Sequence, residues 1–434
     1  MAKLNQLLKE RQRQGNPVRN AVIGTGMMGS GIVDVMTQME GMSASFVADI
    51  EVDRAKQALL RAGVAEKNIV VTDDPVQADK AIKSGLHVAS TNGLLAADLE
   101  SIDVVTESTG IPEVGANVAL RTITAGKHIV MMNVETDVCI GPLLKRMADS
   151  ANVIYTGACG DEPACTMELI DFARSLGLEV VAAGKGKNTP WHPDANPETV
   201  FNYMPKLKGR PGINPRMISE FVDGSKTAIE MSAIANAAGL LPEVRGMHGP
   251  TATRDNLHKV FTHKDRGGIL SGTNVIDYCI GVAPGVFCVV TGDYPTAIDT
   301  FGGMFGDDPV YALYRPYHLT SLETPLAAAK AVLLGEAAIA PQDKLFCEVI
   351  CCTKKELVPG EVIDGIGGFC VYGSMDKADI ARKEGLLPLA LAQGSVVKRK
   401  VKKGEYLTYD DVDLNPDSTI VQLRKLQDKM IYGG

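Results

Sequence analysis

The chain has no CxxC pair, no secretory-type apolar core near its start, no uninterrupted apolar run of membrane-spanning length and no long basic stretch. Each absence closes a class of function. Nine cysteines, an odd number set mostly within apolar segments, fit reduced thiols and a cytoplasmic setting rather than a disulfide framework. Cys347, Cys351 and Cys352 invite a metal reading, and alternate burial along a strand accounts for the same spacing. Leu4, Leu7 and Leu8 stand at helical spacing among charges, unlike a leader sequence. A net charge of −8 gives no electrostatic case for nucleic acid or an anionic membrane as partner. The cluster Lys398-Arg399-Lys400, with Lys402 and Lys403, reads as a solvated strand or turn. What remains is an ordinary globular composition, 45% apolar and 22% charged, in 434 residues that can hold two or three cores.

The most informative stretch runs from Gly24 to Asp49. A strand-like run from Val18 to Ile23 leads into Gly24-Thr25-Gly26-Met27-Met28-Gly29, and a helix-like stretch follows from Ser30 to Glu40. Strand, glycine turn and helix in that order form a dinucleotide-binding fingerprint. Gly24 makes the turn, Gly26 lets a pyrophosphate approach the backbone, Gly29 lets helix and strand close, and the helix-start amides hold negative charge. Asp49 ends a second apolar run 20 positions past Gly29, where its carboxylate would accept from a ribose 2′-OH and repel a 2′-phosphate. NAD is therefore expected in preference to NADP. The alternative is a glycine turn between core elements with Asp49 as a helix cap.

Strand and helix patterns continue to alternate. Strands are expected near His87 to Ser90, Asp103 to Thr106, His128 to Met132 and Val153 to Thr156, with helices from Pro112 to Ala125 and Asp137 to Ala151. The fold class is α/β: an N-terminal doubly wound parallel sheet over 1–160, a central α+β substrate domain over 161–340 and a small β-rich domain over 341–434. Loops beginning at Glu107, Asn133 and Gly157 should share the carboxyl rim of the sheet with the cofactor, which brings Thr109, Gly110 and Asn133 to it. After Pro163 a helix to Leu176 precedes a strand, a polar, proline-rich excursion from Thr189 to Pro215, a helical stretch from Phe221 to Ala238, strands near Gly285 to Val290 and Tyr311 to Arg315, and a helix from Ser321 to Leu334 that returns to the first domain. An internal echo follows, with Val358-Pro359-Gly360-Glu361 repeated as Lys402-Lys403-Gly404-Glu405 at an offset of 44 positions.

Several residues could carry chemistry. Lys185 and Lys187 lie in what reads as a glycine-flanked turn, able to hold a phosphate or an enolate oxygen together with Asn188, or simply to be solvated. Asp223 and Lys226 are about one helical turn apart, so they could pair with each other or jointly address a ligand, while Asp223 or Ser225 could cap the helix. Glu135, Asp137, Asp161 and Glu162 on the rim suit general acid or base work or oxygen ligation of a divalent cation, with helix capping the plainer explanation for Asp137 and Glu162. His248 and His318 sit in turn-rich contexts suited to a ligand or to a structural hydrogen bond.

The layout resembles homoserine dehydrogenase, with Gly126-Lys127-His128-Ile129-Val130 opening a strand, but Val134 stands where that family has a lysine after the asparagine. A closer resemblance is to the deoxyxylulose-phosphate reductoisomerase-like family with a terminal SAF-like module. It is carried by Gly110-Ile111-Pro112-Glu113-Val114-Gly115, Val130-Met131-Met132-Asn133-Val134-Glu135, Gly160-Asp161-Glu162-Pro163, Ala183-Gly184-Lys185-Gly186-Lys187-Asn188, Asp223-Gly224-Ser225-Lys226 and the run from Tyr314 to Glu323. The resemblance implies conversion of a ketose phosphate to a branched aldehyde phosphate with hydride transfer at its carbonyl. It implies enolate stabilisation by Lys185, Lys187, Lys226 or a divalent cation, proton shuttling by Glu135, Asp161 or Glu162, and phosphate binding by Ser225, Arg315 or His318. With Asp49 pointing to NAD, the expected direction is oxidation of a branched polyol phosphate, by a homodimer. Two other readings stand beside it: a simple dehydrogenase of a small hydroxy acid or semialdehyde, and a nucleotide-sensing module without turnover.

Overall fold

The computed structural model describes residues 2–433 apart from 211 and 308, so Pro211 of the proline-rich excursion lies outside the described residues. Two compact units emerge: Met1–Asp161 with Leu319–Asp343 and Ser418–Gly434, and Glu162–His318 with Lys344–Asp417. The segment 344–417 thus clusters with the central segment, and the last helix, Thr419–Tyr432, clusters with the first.

The first unit is built on seven parallel strands: β1 Val18–Ile23, β2 Met42–Ala48, β3 Ile69–Val71, β4 His87–Ser90, β5 Val104–Glu107, β6 His128–Met131 and β7 Tyr155–Gly157, in the order β3-β4-β2-β1-β5-β6-β7. Their central strands read as continuous apolar runs because helices cover both faces of such a sheet. The helix Met27–Gln38 buries Gly29, Ile32, Val33 and Met36, a spacing that keeps one stripe against the sheet. The one polar residue fully buried in β1, Asn20, is satisfied by Thr106 of β5, its Nδ2 donating to Oγ1 at 2.8 Å. Connections leave β1 toward β2 on one side while β5 joins it on the other. That reversal opens a crevice at the carboxyl edge beside β1.

The stretch Asn133 to Asp137 is not a loop, because the helix begins at Val134. Asn133 is its N-cap and accepts from Thr136 N at 3.1 Å, and Asp137 sits inside the first turns rather than at a cap. The helix from Thr320 to Leu334 belongs to the first unit, as its sequence pattern predicts.

In the second unit a mixed five-stranded sheet runs β11-β12-β10-β8-β9, with β8 Glu179–Lys187, β9 Val275–Ile280, β10 Val286–Thr291, β11 Gly306–Asp307 and β12 Val310–Arg315. The helices Glu162–Ser175 and Ser225–Ala238 accompany it. The excursion holds short helical turns at Val200–Tyr203 and Pro205–Leu207 over its own cluster of Ala195, Val200, Ile218 and Val222. The segment 344–417 contributes the antiparallel pair β13 Cys347–Thr353 and β14 Val371–Lys377. Cys347, Cys351 and Cys352 do lie on a strand, but every position of it is buried rather than alternate ones.

The 44-residue echo is a structural repeat. Gly360 and Gly404 both adopt positive φ, and Glu361 and Glu405 each accept from the backbone N–H three residues earlier, at 3.2 and 3.0 Å. Leu357 and Val401, themselves 44 apart, exchange both backbone hydrogen bonds, and Gly360 N to Val397 O is mirrored by Gly404 N to Thr353 O. The two copies therefore pair with each other about a local two-fold.

Candidate functional site

The first unit offers a cradle made of backbone. Gly24 has φ +89°, and a Cβ there would come within 3.0 to 3.1 Å of Thr109. At Gly29 a Cβ would fall 1.9 Å from Gly24 O, so only glycine lets the helix start this close to the turn. Gly26 has nothing within 4 Å of a Cβ, and it caps the helix Met27–Gln38 without any side-chain hydrogen bond. Open space above uncapped amides at a helix start is what a pyrophosphate requires, so these residues fit a dinucleotide. Asp49 Oδ2 accepts from Thr25 N at 2.9 Å and Thr25 Oγ1 at 2.7 Å, while Oδ1 accepts from Glu51 N at 3.1 Å. The carboxylate braces the glycine turn and keeps accepting capacity on Oδ1 for a ribose hydroxyl.

Beside this cradle is an acid that sequence reasoning missed. Glu107 ends β5 directly opposite Ile23 of β1 and is fully buried. Its Oε1 accepts from Thr109 N at 2.9 Å and from the Thr109 hydroxyl, whereas Oε2 is buried without a direct hydrogen-bond partner among the described residues. Asn133 Nδ2 donates one of its two N–H groups to Ile111 O at 3.0 Å, and its side chain lies near enough to favour the Glu107 charge. Burial pushes Glu107 up to about 7 against these hydrogen bonds, and the charge of Glu135 adds to the rise. Asp137, half-buried, is raised to about 6 by loss of hydration against the opposing bond from Tyr155 Oη at 2.7 Å. Met27 is exposed at the helix start, Met28 meets Ser321 Oγ at 3.2 Å, and Gly110 has positive φ with open space around it.

In the second unit Lys185 and Lys187 occupy the end of β8, not a turn, and both are buried. Period-two alternation puts them on one face, with Gly184 and Gly186 on the other. There a Cβ would fall 1.6 Å from Asp277 O or 2.3 Å from Ala283 N, so the glycines exist because neighbouring backbone presses on that face. Lys185 Nζ donates to Glu162 Oε1 at 3.1 Å and to Glu230, and His318 Nδ1 stands 3.2 Å from Glu162 Oε2. Four ionisable groups of two signs are thereby packed together, three of them buried and His318 partly exposed. Burial would raise Glu162, but the charges of Lys185 and His318 outweigh it and hold this carboxylate low. Glu230 is raised to about 7, first by burial and then by the charge of Glu162. Burial disfavours the Lys185 charge, but Glu162 and Glu230 hold it on. Lys187, whose ammonium donates to Phe221 O, is lowered to about 8 by burial and then by Lys185.

Asp223 does not pair with Lys226. It ends the helix Pro215–Asp223, its Oδ1 accepts from Ser225 N at 2.8 Å, and Oδ2 lies 2.7 Å from Lys354 Nζ. Lys354 also donates to Ala195 O and Gly368 O at 2.6 and 2.8 Å, which leaves the third of its N–H groups for Asp223. Lys226 is half-buried and its charge bears on Glu230. Ser225 Oγ accepts from Gly373 N at 2.8 Å, and Asn188 is exposed. Arg315 pairs with Glu168 at 3.0 Å and lies over the Tyr317 ring at 4.8 Å. Asp161 is buried and immediately precedes Glu162 in the chain.

His248 is held by an acid not foreseen. Asp277, fully buried in β9, accepts from His248 Nδ1 at 2.8 Å and from the backbone N–H groups of His248, Gly249 and Tyr278. Glu107, Glu230 and Asp277 share a sequence signal: each is an acid within an otherwise apolar strand or helix run, a composition that is rare unless the acid is partnered or used.

Residues 160–324 match the family model described as "Oxidoreductase DRL, catalytic domain". By that match the central segment is similar to an oxidoreductase catalytic domain. No curated protein matches the sequence. Among solved structures, a DOX-P reductoisomerase in complex with NADPH, fosmidomycin and magnesium is 15% identical over 50% of this chain and 57% of its own, with a TM-score of 0.35. The chain therefore spans little more than half the length of that relative. A probable dehydrogenase from Thermotoga maritima is 13% identical, with coverage of 74% and 90% and a TM-score of 0.39. A myo-inositol 2-dehydrogenase from Lactobacillus plantarum is 14% identical, with coverage of 74% and 91% and a TM-score of 0.37. Among the described residues no helix is long and apolar enough to cross a membrane.

Proposed function

We propose that this chain is an NAD-preferring oxidoreductase of a small phosphorylated polyol or ketose, able to rearrange the carbon skeleton of its substrate. The observation that carries the reading is the buried cluster of Lys185, Glu162, Glu230 and Lys187 within the segment that matches an oxidoreductase catalytic domain. Gly24, Gly26 and Gly29 would hold the pyrophosphate and Asp49 the adenosine ribose. When bound, the nicotinamide takes or returns the hydride.

The residues of the chain supply the proton chemistry. Oxidation of a secondary alcohol requires a base for the hydroxyl proton, and Lys187, an amine that is substantially neutral near pH 8, meets the requirement. Lys185 keeps its proton and lends positive charge to an oxygen that becomes negative, as an enolate does during cleavage beside a carbonyl. Glu230, raised to about 7, can take up the proton that Lys187 must lose. A divalent cation would find an oxygen donor in Glu162, provided His318 leaves Glu162 Oε2 or joins it as a ligand.

Incubation with NAD+ or NADP+ and a panel of phosphorylated and free branched polyols, with and without magnesium or manganese, tests the reading by NADH formation. Product analysis separates a rearranged skeleton from simple dehydrogenation. Asp49→Asn should move the ratio of catalytic efficiencies toward NADP+ by about tenfold, the loss of one charge repulsion. A native enzyme that already prefers NADP+ overturns the assignment of Asp49.

A further inference from the structure

Within the second unit a cavity of about 190 Å³ lies among the 243–249 loop, the start of the helix Ser225–Ala238, β14 and Tyr406. It has the volume of about six waters, too small for a nucleotide and suited to a chain of a few carbons with its substituents. Glycines let its walls close. A Cβ at Gly224 would meet the Trp191 ring at 2.8 Å, and one at Gly249 would meet Tyr278 at 2.3 Å. Trp191 donates from Nε1 to Asp223 O at 2.7 Å and lies edge-on to Tyr372 at 5.8 Å, so both rings are fixed.

The polar lining is one-sided. Lys187, Arg245 and His248 face the cavity, and none of its lining residues is acidic. The acids stand behind the bases: Asp376 and Glu384 hold Arg245 at 2.5 and 2.8 Å, with the guanidinium 5.0 Å from the Tyr406 ring centre, and Asp277 holds His248 through Nδ1. With Nδ1 committed, Nε2 is the atom left to address a ligand, and Glu243 approaches it no closer than 3.7 Å. The hydrogen bond to Asp277 holds the imidazole above its ordinary range against partial burial, with Asp277 and Glu243 reinforcing the rise and Lys264 opposing it, which favours the protonated ring whose Nε2 donates. Ring faces favour C–H surfaces, while a pre-oriented guanidinium and imidazolium favour a terminal anion.

We infer that this cavity binds the small anionic polyol on which the enzyme acts, with Arg245 and His248 gripping its anionic terminus and Lys187 addressing a hydroxyl. The inference rests on the proposed function for the identity of Lys187 as the base. The shared ligand chemistry is a polyhydroxylated carbon chain ending in a phosphate ester or a carboxylate.

Trp191 is the chain's one tryptophan, so its fluorescence reports the cavity directly, without turnover. The probes are ribose 5-phosphate, ribonate and ribitol, titrated against the full chain without dinucleotide. Saturable change with either anion and none with ribitol is expected, and the stronger of the two anions assigns the terminus. His248→Gln and Arg245→Lys should each weaken anion binding about tenfold or more, because each removes one charge-assisted or bidentate contact. Thermal unfolding checks that each variant is folded, and Tyr406→Leu, which leaves both bases in place, serves if Arg245→Lys is not. The inference fails if no anion gives a saturable signal at millimolar concentration, or if ribitol binds equally well. It also fails if NADH formation proceeds while the His248 and Arg245 variants bind and turn over as the parent does, which leaves the oxidoreductase reading intact. Anion binding that these variants weaken, with no hydride transfer from any substrate, sinks the oxidoreductase reading and leaves the cavity assignment standing.

Discussion

In the first unit the candidate site is a shape made by the main chain, in which three glycines clear room and present amides, whereas in the second it is a balance of charges brought from Glu162, Lys185, Glu230 and His318. The two kinds of site fail differently. A backbone cradle is spoiled by adding a methyl group and costs little to keep, since its amides remain open to water. A buried charge cluster is spoiled by removing one member, because each remaining charge has given up its hydration for that partner. The first kind separates binding from stability; the second ties them together.

The largest expected effect follows from that tie. Lys185→Met leaves Glu162 and Glu230 buried without their shared cation, and a loss of about 3–5 kcal/mol is expected. Chemical denaturation measures it, and Lys185→Met combined with Glu230→Gln should recover part of the loss. A cost below about 1 kcal/mol would mean that the carboxylates are not sustained by Lys185 at all. Lys187→Met should separate the two functions within one strand, lowering turnover about a hundredfold or more while the protein stays folded. In the parent, the oxidation rate should rise with pH through about 8, because the neutral amine is the form that accepts a proton. That limb should vanish in Lys187→Met, and a profile unchanged by the substitution would remove Lys187 from the reaction.

The same division decides what could be read from the sequence. The fingerprint from Gly24 to Asp49 was legible because strand, turn, helix and acid are neighbours in the chain and each follows a local rule. The echo around Gly360 and Gly404 was legible for the same reason, although that its copies pair with each other was not. Lys185 and Lys187 stood out as residues but were read as lying in a turn, since the flanking glycines resemble one. Those glycines instead answer backbone arriving from 277 and 282–283, some 90 residues away. Lys354 was missed as the partner of Asp223, and Asp277 as the anchor of His248, because neither pairing leaves a local trace. The same holds for Asn133 and Asp137, whose helix started one turn earlier than its apolar pattern implied because the cap is an asparagine in a buried segment.

A smaller effect sharpens the contrast within the glycine cradle. Gly26→Ala introduces a methyl group into open space at φ −61°, so stability should hold within about 0.5 kcal/mol. Dinucleotide affinity should nevertheless fall tenfold or more, about 1.4 kcal/mol, because that space is where the pyrophosphate must come. Gly24→Ala should do the reverse first, costing about 1–3 kcal/mol of stability through its positive φ and the crowding of Thr109. Calorimetric titration with NAD+ beside thermal unfolding distinguishes the two. If Gly26→Ala binds NAD+ as the parent does, the cradle is a packing device and no more.

A last contrast concerns Glu107, where the first unit contains one feature of the second unit's kind. Its folded carboxyl is raised from the ordinary 4.5 to about 7 by burial, so the folded protein holds this proton more tightly than the unfolded chain does. The resulting stability is fully present below about pH 4.5 and is lost as pH rises through about 7. Glu107→Gln places a neutral amide of the same shape on Thr109, with an N–H at the position of the partnerless Oε2. At pH 5 the variant and the parent should unfold alike. At pH 8, where only the parent must ionise a buried group, the variant should be the more stable by an increment of about 2 kcal/mol relative to pH 5. Unfolding midpoints at the two pH values measure the difference of differences, which cancels any cost of the substitution itself. A variant that loses stability at pH 8 would mean that Glu107 is charged in the fold and partnered by a cation, and the first unit's site would then depend on charge as the second unit's does.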